Sequence, residues 1–185
     1  MSVNDDLPWI APTLSLIRDA DKRGVPVIGH CLGGQLMSKA FGGVITKNPV
    51  KEIGWGEVAC VGAVAAEWLG DGVENTAASS AKFEVFQWHG ETFSLPPQAT
   101  RILQSAYCEN QAFVRGPHLG MQCHVEMTES MIRLWGKHWA DEGVAASASV
   151  QTLEQMTTAL DVRIERMRQV ADRLYSRWIQ GLKND

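Results

Sequence analysis

Two groups of residues in this sequence could carry covalent chemistry. The first centres on Cys31, in Val25-Pro26-Val27-Ile28-Gly29-His30-Cys31-Leu32-Gly33-Gly34-Gln35. Val25, Val27 and Ile28 form an apolar run of strand length with a helix-like segment on each side, the setting of a buried parallel strand. Gly29 before the thiol and Gly33-Gly34 after it permit a tight turn and close backbone approach. Cys31 is therefore expected on a strained elbow at the N-terminus of a helix, whose free N–H groups and dipole favour an anionic sulfur. The arrangement is that of a G-x-S-x-G nucleophile elbow with cysteine in the serine slot. A cysteine alone is more often a small buried hydrophobe; the surrounding glycines argue for reactivity here.

The second group closes the run Leu119-Gly120-Met121-Gln122-Cys123-His124-Val125-Glu126. In an extended chain, residues two apart point the same way, so His124 and Glu126 are expected side by side. A carboxylate beside an imidazole fixes its tautomer and stabilises the imidazolium. Such an imidazole can hold a cysteine as thiolate and later protonate a leaving amine. Cys31, His124 and Glu126 thus form a candidate nucleophile, base and orienter. An isolated H-x-E is a weak signal and gains weight only beside the cysteine elbow.

The elements that would position these residues can be read from periodicity. Ile10, Leu14 and Ile17 place a helix over about Pro8 to Lys22, closed by Gly24. A strand to His30 and a helix from about Gly33 to Phe41 follow, the rhythm of an α/β sheet. Between Gly43 and Gly62 two short β segments are expected, with a short helix around Ala65–Leu69 and a surface loop over Gly70–Ala81. Strands are expected at Lys82–Trp88, Arg101–Tyr107, Ala112–Arg115 and Leu119–His124. A helix then starts at Thr128, and after a small-residue linker (Val144 to Ser149) one long helix runs from about Val150 to Leu182. Its apolar stripe suits a cover packed on the domain. Residues 1–143 are read as the functional domain, and residues 144–185 as linker and C-terminal helix.

Composition narrows the function classes. The chain has 185 residues, 45% hydrophobic and 21% charged, which is long and apolar enough to bury a real core. A net charge of -4 without a Lys/Arg cluster argues against a nucleic-acid partner. No apolar run reaches membrane-spanning length, and the first residues lack the features of a signal peptide. Cys31, Cys60, Cys108 and Cys123 are scattered without a C-x-x-C pair, so reduced thiols in the cytoplasm are expected. No set of His, Cys, Asp or Glu has ligand-like spacing, so no metal is expected.

Gly29-His30-Cys31-Leu32-Gly33-Gly34-Gln35 resembles the G-x-C-x-G-x-Q nucleophile segment of class I, triad-type glutamine amidotransferases, the glutaminase part of enzymes such as GMP synthase. Gly120-Met121-Gln122-Cys123-His124-Val125-Glu126 resembles that family's G-x-Q-F-H-x-E segment. The likeness spans nearly all of Met1 to Trp139. It implies a three-layer, flavodoxin-like α/β fold with a mostly parallel sheet. By the same resemblance, Cys31 would attack the side-chain amide of glutamine while His124, oriented by Glu126, moves the proton. Water would then resolve a γ-glutamyl thioester, with no cofactor. Leu32 would offer its N–H to the oxyanion, Gly33 and Gln35 would border and hold the substrate, and Trp88-His89 would supply backbone to its head group. His89 is open between a second acid/base and a structural histidine beside an aromatic. His30 is expected to point away from the thiol, Cys123 to be a buried hydrophobe, and His118 and His138 have no motif.

The resemblance also implies a strand–helix–strand unit ahead of Met1, ending in a Gly-Gly-Pro-type loop with the second oxyanion donor. Met1-Ser2-Val3-Asn4-Asp5 resembles the tail of that loop. Without that unit an apolar sheet edge would be open to self-association. A transferase of this kind would need its ammonia acceptor on a separate synthetase or acceptor subunit. Two other functions stay open at this level: a γ-glutamyl-peptide hydrolase using the same triad, and a catalytically silent homologue with a binding role.

Overall fold

A computed structural model describes residues 1–70, 81–141 and 145–182. Helix α1 (Ile10–Lys22) leads into strand β1 (Ile28–His30) and helix α2 (Leu32–Ala40). The long strand β2 (Ile45–Cys60), helix α3 (Gly62–Leu69) and strand β3 (Lys82–Phe93) follow. Strands β4 (Thr100–Ser105), β5 (Ala112–Arg115) and β6 (His118–Met121) precede helix α4 (Glu129–Asp141), the short α5 (Leu153–Thr157) and α6 (Leu160–Ile179). Most of the loop expected over Gly70–Ala81, and the start of the expected 144–149 linker, lie outside the described residues. Among the described residues no helix is long and apolar enough to cross a membrane.

The six strands form one sheet in the order β1-β6-β5-β4-β2-β3. The α/β class holds, but the expected mostly parallel pairing does not describe these strands. Only β1 and β6 run parallel, and the other neighbours are antiparallel. For β5 and β6 the physical cause is connection length: a tight turn at Gly116 joins them, whereas a parallel pair needs a long crossover. The two β segments expected between Gly43 and Gly62 are one continuous strand, β2, whose register with β3 shifts between Lys47 and Glu52. Strand β3 likewise continues beyond Trp88 to Phe93.

Helices cover both faces, giving three layers. On one side Ile10, Ile17, Leu36 and Met37 of α1 and α2 pack with Ile45, Phe93 and Phe113. On the other, α3, α4 and α6 bury Leu69, Ile132, Met167 and Leu174 against Val58, Phe86, Leu103 and Met121. Helix α1 ends in a Schellman arrangement, with Val25 N–H donating to Ala20 O at 2.9 Å and Gly24 N–H to Asp21 O at 3.0 Å. Asp21 in turn accepts from Arg115 Nη1 at 2.6 Å and His118 Nε2 at 3.0 Å, while His118 Nδ1 accepts from Val27 N–H at 3.1 Å. His118, which no motif explained, therefore seats the start of β1 beside β6. The single long C-terminal helix expected from Val150 is broken. Thr158 is extended and Ala159 is left-handed (φ 51°), and the hydroxyls of Thr157 and Thr158 bond back to carbonyls of α5.

The sheet curls until its two ends meet. Phe86 on β3 exchanges backbone hydrogen bonds with His124 beyond β6, at 3.1 and 2.8 Å. The carbonyl of Trp88 lies 3.7 Å from Cys31 Sγ. The join of β1 to α2 is packed without slack: a Cβ on Gly34 would overlap the carbonyl of Met121 on β6. Gly34→Ala is therefore expected to push α2 off β6 and to destabilise the fold by about 1–3 kcal/mol, the usual cost of overpacking, as measured by denaturant unfolding.

Candidate active site

Strand β1 ends at His30, and Cys31 caps α2 with φ 49° and ψ −107°, a backbone conformation that non-glycine residues rarely adopt. Gly29 makes the turn possible, because a Cβ there would come within 2.5 Å of the carbonyl carbon of Gly33. The expected elbow is therefore present, with the thiol half-buried at the first turn of α2. Gln122 Nε2 approaches Cys31 Sγ at 3.7 Å as a donor. Gln35 Nε2 holds that amide by donating to Gln122 Oε1 at 3.1 Å, and is 3.4 Å from the Glu91 carbonyl. Gln35 thus acts on the thiol through Gln122.

His124 and Glu126 lie side by side as expected, although β6 stops at Met121. His124 Nδ1 and Glu126 Oε1 are 2.6 Å apart, so the imidazole turns its N–H to the carboxylate. Glu126 Oε2 accepts from Val125 N–H at 3.0 Å. His124 Nε2 is buried and makes no aligned hydrogen bond, and Trp135 of α4 packs edge-on at 5.6 Å between ring centres. Burial by itself would discharge His124. The neighbouring Cys31 and the Glu126 carboxylate outweigh it and raise its pKa to about 9. Burial likewise disfavours the Glu126 anion, but its bond to His124 and the positive charge there hold the pKa below the ordinary carboxylate value.

A cavity of about 630 Å³ opens in front of the thiol. Cys31, Leu32, Gln35, Trp88, His89 and Glu91 are among the residues that line it. Gly33 and the His124–Glu126 pair are not part of that wall, and the space a side chain on Gly33 would occupy is open. His89 borders the cavity but buries its imidazole, with Nδ1 3.0 Å from the Glu91 carbonyl and Nε2 3.1 Å from Glu52 Oε2. The geometry favours the structural alternative for this residue. Glu52, His89 and Cys108 bring three donor atoms within 4.8 Å of one another, a gathering that spacing did not reveal. Those groups are already engaged. Glu52 accepts from Ser105 Oγ and Gln111 Nε2, both at 2.9 Å, and Cys108 Sγ lies 3.1 Å from Thr92 Oγ1. Burial also pushes the Cys108 thiol up, away from the thiolate a metal requires.

Residues 4–135 match the family described as glutamine amidotransferase class I. The chain belongs to that family. A glutamine amidotransferase from Methylobacillus flagellatus is 44% identical and superposes with a TM-score of 0.91, over 100% of this chain and 74% of the other. A second glutamine amidotransferase, from Thermotoga maritima, is 26% identical with a TM-score of 0.80, over 97% of this chain and 74% of the other. Among curated relatives, the glutamine-hydrolysing GMP synthase of Aeromonas salmonicida is 30% identical over 155 residues. That match takes in 80% of this chain and 28% of the synthase. The glutamine amidotransferase-like protein YfeJ of Salmonella typhimurium is 34% identical over 103 residues, covering 55% of this chain and 41% of YfeJ. The chain thus spans less than half the length of either curated relative.

In this member of the family, the structure adds residues to those the sequence singled out. Gln122 was part of the quoted segment, yet nothing in its spacing tied it to the thiol. His30 does turn from Cys31, but towards the far side of Glu126, at 3.6 Å from Oε2. Tyr175 on α6 contacts His30 at 2.9 Å and carried no signal at all. Cys123 is fully buried, as expected of a hydrophobe.

The His124 pKa sets a pH dependence. A histidine raised above its ordinary 6.5 contributes stability that is complete below that pH and lost as pH rises through about 9. Unfolding free energy is therefore expected to fall between those limits. Glu126→Gln, which removes the anion, is expected to move that loss to lower pH in denaturant titrations at fixed pH values.

Proposed function

We propose that this glutamine amidotransferase is an enzyme that hydrolyses the side-chain amide of glutamine through a γ-glutamyl thioester on Cys31. The observation that carries the reading is the convergence of a thiol on a positive-φ elbow, an amide N–H aimed at its sulfur, and an imidazole held by a carboxylate. In the first step the Cys31 sulfur would attack the amide carbon, and His124 would give its Nε2 proton to the departing nitrogen, releasing ammonia. In the second, His124 would take a proton from water, whose oxygen attacks the thioester carbon, releasing glutamate and restoring the thiol. Glu126 would keep the Nδ1 proton in place throughout.

Leu32 is the first residue of α2, so its N–H suits the oxyanion, and Gln35, Trp88 and the open face of Gly33 suit the amino-acid head group. Residues 1–143 would form the catalytic unit, with residues 144–185 as its packed extension. The thioester route needs no cofactor. All four cysteines are free, which suits a reducing compartment such as the cytoplasm. An ammonia acceptor would be supplied by a synthetase partner, the role suggested by relatives named as glutamine-hydrolysing GMP synthases.

One observation favours a bulkier amide. A groove of about 490 Å³, lined by Trp88, Leu134, Trp135 and His138, adjoins the His124 ring through Trp135. It could accept an apolar amine leaving group, as in a γ-glutamyl peptide.

A glutamine-mimicking chloroketone is expected to label Cys31 alone, with protection by glutamine, and Cys31→Ala is expected to abolish both labelling and ammonia release. Peptide mapping with a glutamate-release assay checks this. Absence of selective labelling in folded protein would sink the enzyme reading. Faster turnover of γ-glutamyl peptides than of glutamine would favour the peptidase.

A further inference from the structure

Behind the His124–Glu126 pair lies a second pair that the amide chemistry does not use. His30 immediately precedes Cys31, and the two side chains take different partners: Cys31 meets Gln122 and the Trp88 carbonyl, His30 meets Glu126 and Tyr175. His30 Nε2 reaches 3.6 Å from Glu126 Oε2, and the same nitrogen is 2.9 Å from the hydroxyl of Tyr175. The two rings meet edge-on, 5.9 Å between centres and 88° between planes. Tyr175 is 145 residues away from His30 in sequence. It is anchored because its neighbour Leu174, together with Ala171 and Met167 on the same helix, is buried in the main core.

We propose that His30 and Tyr175 are positioning residues for the His124–Glu126 pair. Tyr175, carried by α6, holds the His30 ring against the carboxylate oxygen that His124 leaves free, and so fixes the carboxylate that orients His124. The inference rests on the reading of Cys31, His124 and Glu126 as the reacting set.

The physical need is plain. Glu126 gives Oε1 to His124 and Oε2 to Val125 N–H, and its side chain is still 31% exposed. A carboxylate open to water can hydrate and turn, and either weakens its hold on the imidazolium. At 3.6 Å the His30 nitrogen is beyond ordinary hydrogen-bond length, so in the Nε2–H tautomer its effect is that of the positive end of a close N–H dipole that also keeps water out. The Tyr175 hydroxyl keeps that ring from swinging away. Burial disfavours the charged form of His30 and His124 repels it, while Glu126 opposes both, and the net direction is down. His30 is therefore a neutral partner, and it places no second cation beside His124. Burial raises the Tyr175 phenol, with Glu126 adding to it, so the hydroxyl keeps its proton, and its oxygen accepts the Nε2–H of neutral His30 at 2.9 Å. The titratable groups that act on this row from outside it are Cys31, next to His124, and Cys123, near Glu126 and Tyr175.

The test uses the full chain with Tyr175→Phe, which removes one oxygen and keeps the ring, His30→Leu, and His30→Gln, which returns an N–H near the position of Nε2. Imidazole NMR follows the His124 titration and its Nδ1–H resonance, and melting temperatures confirm folding. Tyr175→Phe and His30→Leu are expected to lower the His124 midpoint and move that resonance upfield, and His30→Gln to restore both in large part. Where glutamine turns over, kcat is expected to fall about 10-fold, a fraction of what general acid–base catalysis supplies, with KM nearly unchanged. Folded variants with the wild-type His124 titration and resonance would overturn the proposal, as would a rise in KM at unchanged kcat. A wild-type chain with no turnover, and with a His124 titration indifferent to Cys31→Ala, would refute the reacting set instead. The Nδ1–H resonance would still decide the role of Tyr175.

Discussion

The site depends on a steric constraint where β1 meets α2. Gly29 lies against the backbone of Gly33 and Gly34 against that of Met121, so the chain can turn only if both lack side chains. The turn leaves Cys31 at φ 49°, a conformation that costs on the order of 1–3 kcal/mol and persists only where its surroundings over-determine it. Those surroundings are the parallel pairing of Ile28–His30 with Leu119–Met121 and the burial of Leu36, Met37 and Ala40 on α2. The strain is thus held by packing on one side of the sheet, and its product is a thiol presented to a cavity.

Buried polar groups do the finer placement. Three networks seat the segments that face that cavity. Asp21, Arg115 and His118 fix the start of β1, Gln35 holds Gln122 against the thiol, and Gln111 and Ser105 hold the Glu52 that pairs with His89 beside Trp88. A buried polar group without a partner is costly, so each network admits one arrangement of its strands where an apolar contact would tolerate several. The curl of the sheet then brings β3 from one end of the strand order to the elbow at the other.

Helix α6 has two roles under the arrangement inferred here. Its apolar stripe of Leu160, Ile164, Met167 and Leu174 closes the main core, as a cover helix must. Its Tyr175 extends that docking to the carboxylate of the site through His30. Packing energy spent over four turns of helix is thereby coupled to the orientation of one imidazole.

Local events were legible in the chain without its fold. Glycine spacing around Cys31 dictated the elbow, because only glycine tolerates those backbone approaches, and H-x-E spacing paired His124 with Glu126. The α1 and α2 helices, the short β5 and the stripe of α6 were readable from period and punctuation, since those signals act over a few residues. Tertiary structure decided what joins residues far apart in the chain. The order of the strands, the curl, and the contacts of Gln122 with Cys31 and of Tyr175 with His30 are of this kind. None has a periodicity of its own, and each arises only when strands and helices from distant parts of the chain are packed together, because side-chain period sets which face a strand buries and not which strand it meets.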